Sequence, residues 1–203
     1  MIFMVKAVLF DVGNVIITWH AANLYNAMIA DPVRRAFVLE TVVPMSWHAA
    51  HDAGVTFAEN RKERLLTYPS YKAEILAFDE RFEEMLGELV AETVAIIEEL
   101  HKNSVPLYAL TNMPAEKSAM VFSKSPVFGY FRDIIVSGVE KVIKPDPAIY
   151  DITLRRLGLP PEEIFFTDDN AANIDVAKSI GFVTHLFDDP KTLRPALAAA
   201  GVL

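Results

Sequence analysis

Ala7-Val8-Leu9-Phe10-Asp11-Val12-Gly13-Asn14-Val15 sets four apolar residues directly before a carboxylate and a glycine. A short continuous apolar run that closes on a polar turn is the pattern of a strand covered on both faces. Comparable runs return at 106–110, 133–136, 164–167 and 183–187, and the stretches between them have a helical period. At 90–101, Val90, Val94, Ile97 and Leu100 share one side while Glu92, Glu98 and Glu99 lie elsewhere. The segments 147–157 and 173–180 also read as helices, with Gly158 and Gly181 as their stop signals. Strands alternating with helices predict an α/β fold around a parallel sheet.

Residues 19–89 break this alternation: they carry helical periods and turns but no convincing strand. Breaks fall at Asp31-Pro32, Val43-Pro44 and Tyr68-Pro69-Ser70. The reading is a core domain of 1–17 and 90–203, with a helical cap domain of 18–89 inserted after the first strand.

The 203 residues, 52% hydrophobic and 23% charged, suffice for a real core. Acidic residues outnumber basic ones 27 to 19, so no overall field would gather a nucleic acid. The absence of cysteine excludes disulfides, thiolate metal sites and cysteine nucleophiles, and a cytoplasmic address is expected. The N-terminal stretch carries Lys6 and Asp11 and lacks the basic lead and cleavage site of a signal peptide, so it reads as a buried strand. No window is apolar for long enough to span a membrane.

In an open parallel sheet, ligands collect beyond the carboxyl ends of the strands. Asp11 and Gly13 follow the first strand, Thr111-Asn112 the second, and Thr167-Asp168-Asp169-Asn170 the fourth; Lys144 sits in the turn Ile143-Lys144-Pro145-Asp146-Pro147. Singly, each has an ordinary reading: a solvated carboxylate, a helix cap, an exposed lysine. Adjacent carboxylates at a strand end repel unless something positive sits nearby, and a metal is the simplest such partner.

The series resembles the four motifs of the haloacid dehalogenase superfamily: a strand ending in Asp, one ending in Ser or Thr, a Lys, and one ending in acidic residues. Here the intervals are about 100, 33 and 24 residues, and the likeness covers the whole chain. Phe10-Asp11-Val12-Gly13-Asn14-Val15 and Asp168-Asp169-Asn170 are most similar to sugar-phosphate phosphatases of the glucose-1-phosphate type. The resemblance implies a Rossmann-like core and a magnesium-dependent phosphatase acting on a small organic, sugar-type phosphate. Asp11 would attack phosphorus, giving an aspartyl-phosphate that water releases. Asp11, the Gly13 carbonyl, Asp169 and Asp168 would hold Mg2+, since hard oxygens suit that ion. Lys144 would neutralise Asp11 and the phosphoryl oxygens, and the Thr111 hydroxyl and Asn112 backbone would bind the transferred group. Asn173 either orients that site or opens a helix.

One position departs from the pattern. Most phosphatases of the superfamily carry a second Asp two residues after the nucleophile as proton donor. Here that residue is Gly13. A cap residue such as His20 or His51 would stand in, the leaving group would need little help, or the reaction would be another. Metal-free 2-haloacid dehalogenases also lack this Asp, and a catalytically silent binding domain is the remaining alternative; the pair Asp168-Asp169 favours the phosphatase. For substrate contact, Trp19 and His20 are the best-placed cap residues, ahead of Trp47, His48, His51 and Asp52, which read more readily as core. Trp47-His48 with Asp52-Ala53-Gly54 resembles a cap loop of the related phosphatases, with Ala53 where they often have Arg.

Overall fold

The computed structural model of the chain describes residues 4–203; residues 1–3 of the expected N-terminal strand segment lie outside it. Among the described residues there are seven strands: β1 (Ala7–Phe10), β2 (Ile17–Trp19), β3 (Leu86–Leu89), β4 (Leu107–Thr111), β5 (Asp133–Val136), β6 (Ile164–Asp168) and β7 (Val183–Leu186). Five form a parallel sheet in the order β5-β4-β1-β6-β7. All residues of β1 are buried, so its side chains alternate between two apolar layers. Val8 and Phe10 pack with Ile97, Leu100 and Leu193 on one face, and Ala7 and Leu9 with Ile149, Tyr150 and Phe166 on the other. The helices Ala91–Lys102 and Pro190–Ala199 cover the first face; Pro147–Leu157 and Ala171–Ile180 cover the second.

The chain leaves β1, builds outward through β4 and β5, and returns to lay β6 along β1's other edge. This reversal parts the connections on either side of β1 and opens a crevice at its carboxyl end. Local chemistry fixes the helix ends. Asp146 caps Pro147–Leu157, Asn170 caps Ala171–Ile180 through its side chain, and Gly158 adopts the left-handed backbone that ends the former helix.

Between β2 and β3 the chain is helical, and its helices begin or end at the three proline breaks. The expectation of no strand within 19–89 is corrected at both edges of the segment. Ile17 pairs with Leu89 and Trp19 with Leu86 in an antiparallel ribbon. Its strands are only three and four residues long and β3 is half exposed, so neither leaves an apolar run in the sequence. Backbone pairing makes the ribbon: Gly87 passes so close to Thr18 that a Cβ there would lie 2.3 Å from Oγ1. The ribbon joins the helical segment to the sheet beside Asp11.

Candidate active site

Asp11 leaves the end of β1 with its Oδ1 accepting from the Val12 amide at 2.7 Å. Lys144 Nζ lies 2.9 Å from the same oxygen and 2.6 Å from Asp168 Oδ2, and donates to the Leu110 carbonyl at 2.9 Å. One cation thus joins the carboxyl ends of β1, β4 and β6. It is 3% exposed, and a buried ammonium survives only with such partners. Burial alone would lower the Lys144 pKa, but the charges of Asp11 and Asp168 outweigh it and hold the ammonium protonated. Burial pushes Asp11 up to about 7; Lys144 opposes the rise, while Asp168 and Asp169 add to it.

Asp168 is fully buried beneath this group. Its Oδ1 accepts from the Asn170 amide at 2.8 Å and Asn173 Nδ2 at 2.9 Å; its Oδ2 accepts from Lys144 and, at 3.1 Å, from Asn173. Asp169 is the exposed member of the pair, and Asn14 Nδ2 reaches its Oδ2 at 3.1 Å. Burial raises the Asp169 pKa, which the Asn14 hydrogen bond offsets in part. Asn14 holds a left-handed backbone (φ 57°), and its Oδ1 accepts from the Trp19 amide at 3.1 Å. Its place in the motif after Asp11 is the signal the sequence carries for it; its tie to Asp169 leaves none.

Asn112 clasps Lys144 by its main chain, accepting from the amide at 2.8 Å and donating to the carbonyl at 2.9 Å. Neither Thr111 nor Asn112 caps the next helix, Ala115–Phe122, whose N-cap is Pro114. The Thr111 hydroxyl lies 3.5 Å from its nearest acceptor, too far for an O–H···O bond, and so keeps its donor capacity.

These residues floor a cavity of about 430 Å³, whose walls include Asp11, Gly13, Thr111, Asn112, Lys144 and Asp169. Trp19 joins the opposite wall, stacked on His48 with centroids 4.8 Å apart. His20 and His51 are not brought to the cavity. His20 is the N-cap of Ala21–Met28, its Nδ1 accepting from the Ala22 amide at 3.0 Å. His51 is stacked on Phe57 at 4.1 Å with Nε2 3.0 Å from Asn60 Nδ2, a core position in the helical segment. Trp47 packs against Phe78 and is core as well.

Asp11, Asp168 and Asp169 can each offer an oxygen such that the three lie within 4.8 Å of one another. Three carboxylates facing one ammonium leave negative charge in excess, and hard oxygens fit a small divalent cation such as magnesium. The donor set fits that ion. Asp168 is the exception in detail, because its hydrogen bonds already fill the roughly four acceptor positions of a carboxylate.

A profile of the haloacid dehalogenase-like hydrolases matches residues 5–181. The chain is 41% identical over 69 residues to mouse acyl-CoA dehydrogenase family member 10, a match spanning 34% of this chain and 6% of that protein. It is 25% identical to the sesquiterpene phosphatase astK of Aspergillus oryzae over 92% of each chain. Among solved structures, a Bacteroides thetaiotaomicron haloacid dehalogenase family enzyme, crystallised with magnesium and inorganic phosphate, superposes with a TM-score of 0.72 at 21% identity, covering 93% of this chain and 98% of the other. The L-2-haloacid dehalogenase of Xanthobacter autotrophicus superposes at 0.64 and 19% identity, over 98% and 85%. At these identities the two structures establish the shared fold.

Proposed function

Because the chain belongs to the haloacid dehalogenase-like hydrolases, we propose that it is a magnesium-dependent phosphatase of a small organic phosphate, with Asp11 as the nucleophile. The arrangement of Asp11, Asp168 and Asp169 around Lys144 carries this reading. A metal-free site for an anionic haloacid would gain nothing from a third carboxylate at the cavity. Asp11, Asp169 and the Gly13 carbonyl would hold the ion. Asp168, saturated by hydrogen bonds, would instead hold Lys144 in place. Bound magnesium supplies positive charge to a dianionic phosphate beside Asp11.

The protein's own groups do the rest. Lys144 offsets the charge of Asp11 and meets the phosphoryl oxygens; the Thr111 hydroxyl and the backbone after it donate to them, where negative charge spreads as the ester bond loosens. Asp11 forms a bond to phosphorus, the organic alcohol departs, and water then cleaves the aspartyl-phosphate. Residues 18–89 act as a cap that supplies the far wall of the cavity, over a core of 1–17 and 90–203.

The resemblance of the motifs implies a sugar phosphate. The cavity wall also contains Trp19, Met45, Phe82, Leu86, Met113 and Val121. That wall offers apolar contact and few hydrogen-bonding groups, which favours an ester with a compact, largely apolar organic half. The full-length similarity to astK, named as a sesquiterpene phosphatase, points the same way.

Phosphate release from sugar, alkyl, prenyl and p-nitrophenyl phosphates, with magnesium or chelator, tests the reading. Metal-dependent turnover that Asp11→Asn abolishes is expected. Halide release from 2-haloacids without metal would overturn it.

A further inference from the structure

Resting on the phosphatase reading, we propose that Asp52, on the cap side of the cavity, is the catalytic acid that protonates the leaving oxygen in place of the carboxylate absent at Gly13. The titratable side chains at the cavity are Asp11 after β1, Lys144 in its proline-flanked turn and Asp169 after β6, and His48 and Asp52 from the helix Met45–Asp52. The first three are committed to the nucleophile, its neutralisation and the ion. His48 is stacked on Trp19, and burial together with His51 lowers its pKa to about 3, so at neutral pH it has no imidazolium proton to give.

Asp52 is held for the task. It is 8% exposed, and its Oδ1 is buried without a hydrogen-bond partner, with His48 Nε2 3.6 Å away. A buried carboxylate with a vacant oxygen is costly unless it carries a proton or meets a ligand. Burial pushes its carboxyl up to about 7, with Lys144 pulling the other way, so a substantial fraction is protonated near neutrality.

Its backbone is tied to the phosphate-binding end of the core. Ser137 Oγ donates to the Asp52 carbonyl at 2.7 Å and accepts from the Met113 amide at 3.0 Å, one residue past Asn112. Two residues on, Gly54 passes so close to the core that a Cβ there would lie 3.0 Å from the Gly138 carbonyl and 2.9 Å from Lys141 Cγ. Asp52 therefore lines the cavity from a helix end clamped to the core.

As Asp11 bonds to phosphorus and the ester P–O bond breaks, its electron pair stays on the leaving oxygen, which takes the Asp52 proton. The Asp52 carboxylate then takes a proton from the water that attacks the aspartyl-phosphate. The P–O bond to Asp11 breaks, and Asp52 is again protonated.

First-turnover release of the leaving group separates this step from dephosphorylation. With magnesium, Asp52→Asn is expected to slow release from an alkyl phosphate about a hundredfold and to leave release from p-nitrophenyl phosphate, whose leaving group needs no proton, within a few-fold. Gly13→Asp added to Asp52→Asn provides a rescue, because a Cβ at Gly13 meets nothing within 4 Å; it should restore much of the alkyl phosphate rate. Equal loss on both substrates, or loss on neither, would overturn the role of Asp52 while leaving the phosphatase reading intact. Absence of phosphate release by the unaltered protein from any ester would remove both.

Discussion

The side-chain amide of Asn112 binds both main-chain polar groups of Lys144, a residue 32 positions away: Oδ1 accepts from the amide at 2.8 Å and Nδ2 donates to the carbonyl at 2.9 Å. The lysine that neutralises Asp11 is therefore fixed at its backbone by the strand end that would bind phosphate. Asn112→Ala strips both partners from a partly buried peptide, which costs on the order of 1–3 kcal/mol. Thermal unfolding should show the lower melting temperature, and kcat should fall about tenfold or more as Lys144 drifts, with KM changing less. An unchanged kcat would mean that the clasp only stabilises the fold.

Asp168 and Asp169 are adjacent, yet their surroundings assign them different work. Asp169→Asn should raise the magnesium concentration needed for half-maximal activity by about tenfold or more, as expected when a ligand is lost. Asp168→Asn should leave that concentration within a few-fold and lower kcat, since Lys144 loses its 2.6 Å partner. Direct magnesium titration by calorimetry checks both. A larger loss of affinity in Asp168→Asn would make that residue a ligand.

Gly138 lies in the short helix Ser137–Glu140, which Gly54 of the helical segment approaches closely. A Cβ on Gly138 would lie 2.5 Å from the Ala115 amide nitrogen and 2.7 Å from the Met113 carbonyl, both backbone atoms that cannot step aside alone. Gly138→Ala should destabilise the protein by about 1–3 kcal/mol through overpacking. It should also raise KM by shifting the loop that carries Asn112 and Met113. Denaturant unfolding and steady-state kinetics read the two effects; wild-type values for both would show that the loop relaxes freely.

The carboxyl of Asp52 titrates at 3.8 in the free side chain and at about 7 in the fold, raised chiefly by burial. Between those values the folded state binds more protons than the unfolded state, so this group makes stability fall as pH rises and its penalty is complete above about pH 7. Asp52→Asn removes the penalty. In chelator, its unfolding free energy relative to wild type should be higher at about pH 8 than at about pH 4, by on the order of a few kcal/mol. A gap independent of pH would mean that Asp52 titrates normally.

The sheet was legible because its inner strands β1, β4 and β6 are buried on both faces and so carry apolar runs, as Ala7–Phe10 and the first three residues of Ile164–Asp168 do. Pro147 and Gly158 marked helix ends through local backbone chemistry that needs no tertiary context. The ribbon of β2 and β3 was hidden because short, half-exposed strands joined by backbone bonds leave no side-chain pattern. At the site, strand-end position singled out Asp11, Thr111 and the acidic pair, and a proline-flanked turn singled out Lys144; the structure gathers them at one crevice. Depth was not legible: Asp168, the last residue of β6, lies beneath the cavity, and Asp169, just past the strand, opens onto it. Nor did the sequence show that Asn112 acts through its side chain, or that helix packing places Asp52 at the cavity while His51 turns into the core.

Phosphorylation of Asp11 is tested most directly by acid-quenching the protein with magnesium and a turning-over phosphate ester, then mapping the phosphoryl group by peptide mass spectrometry. The phosphoryl group should appear on the peptide that contains Asp11, and should be absent with chelator or in Asp11→Asn. Phosphate release undiminished in Asp11→Asn, or a phosphoryl group on another residue, would contradict Asp11 as the nucleophile.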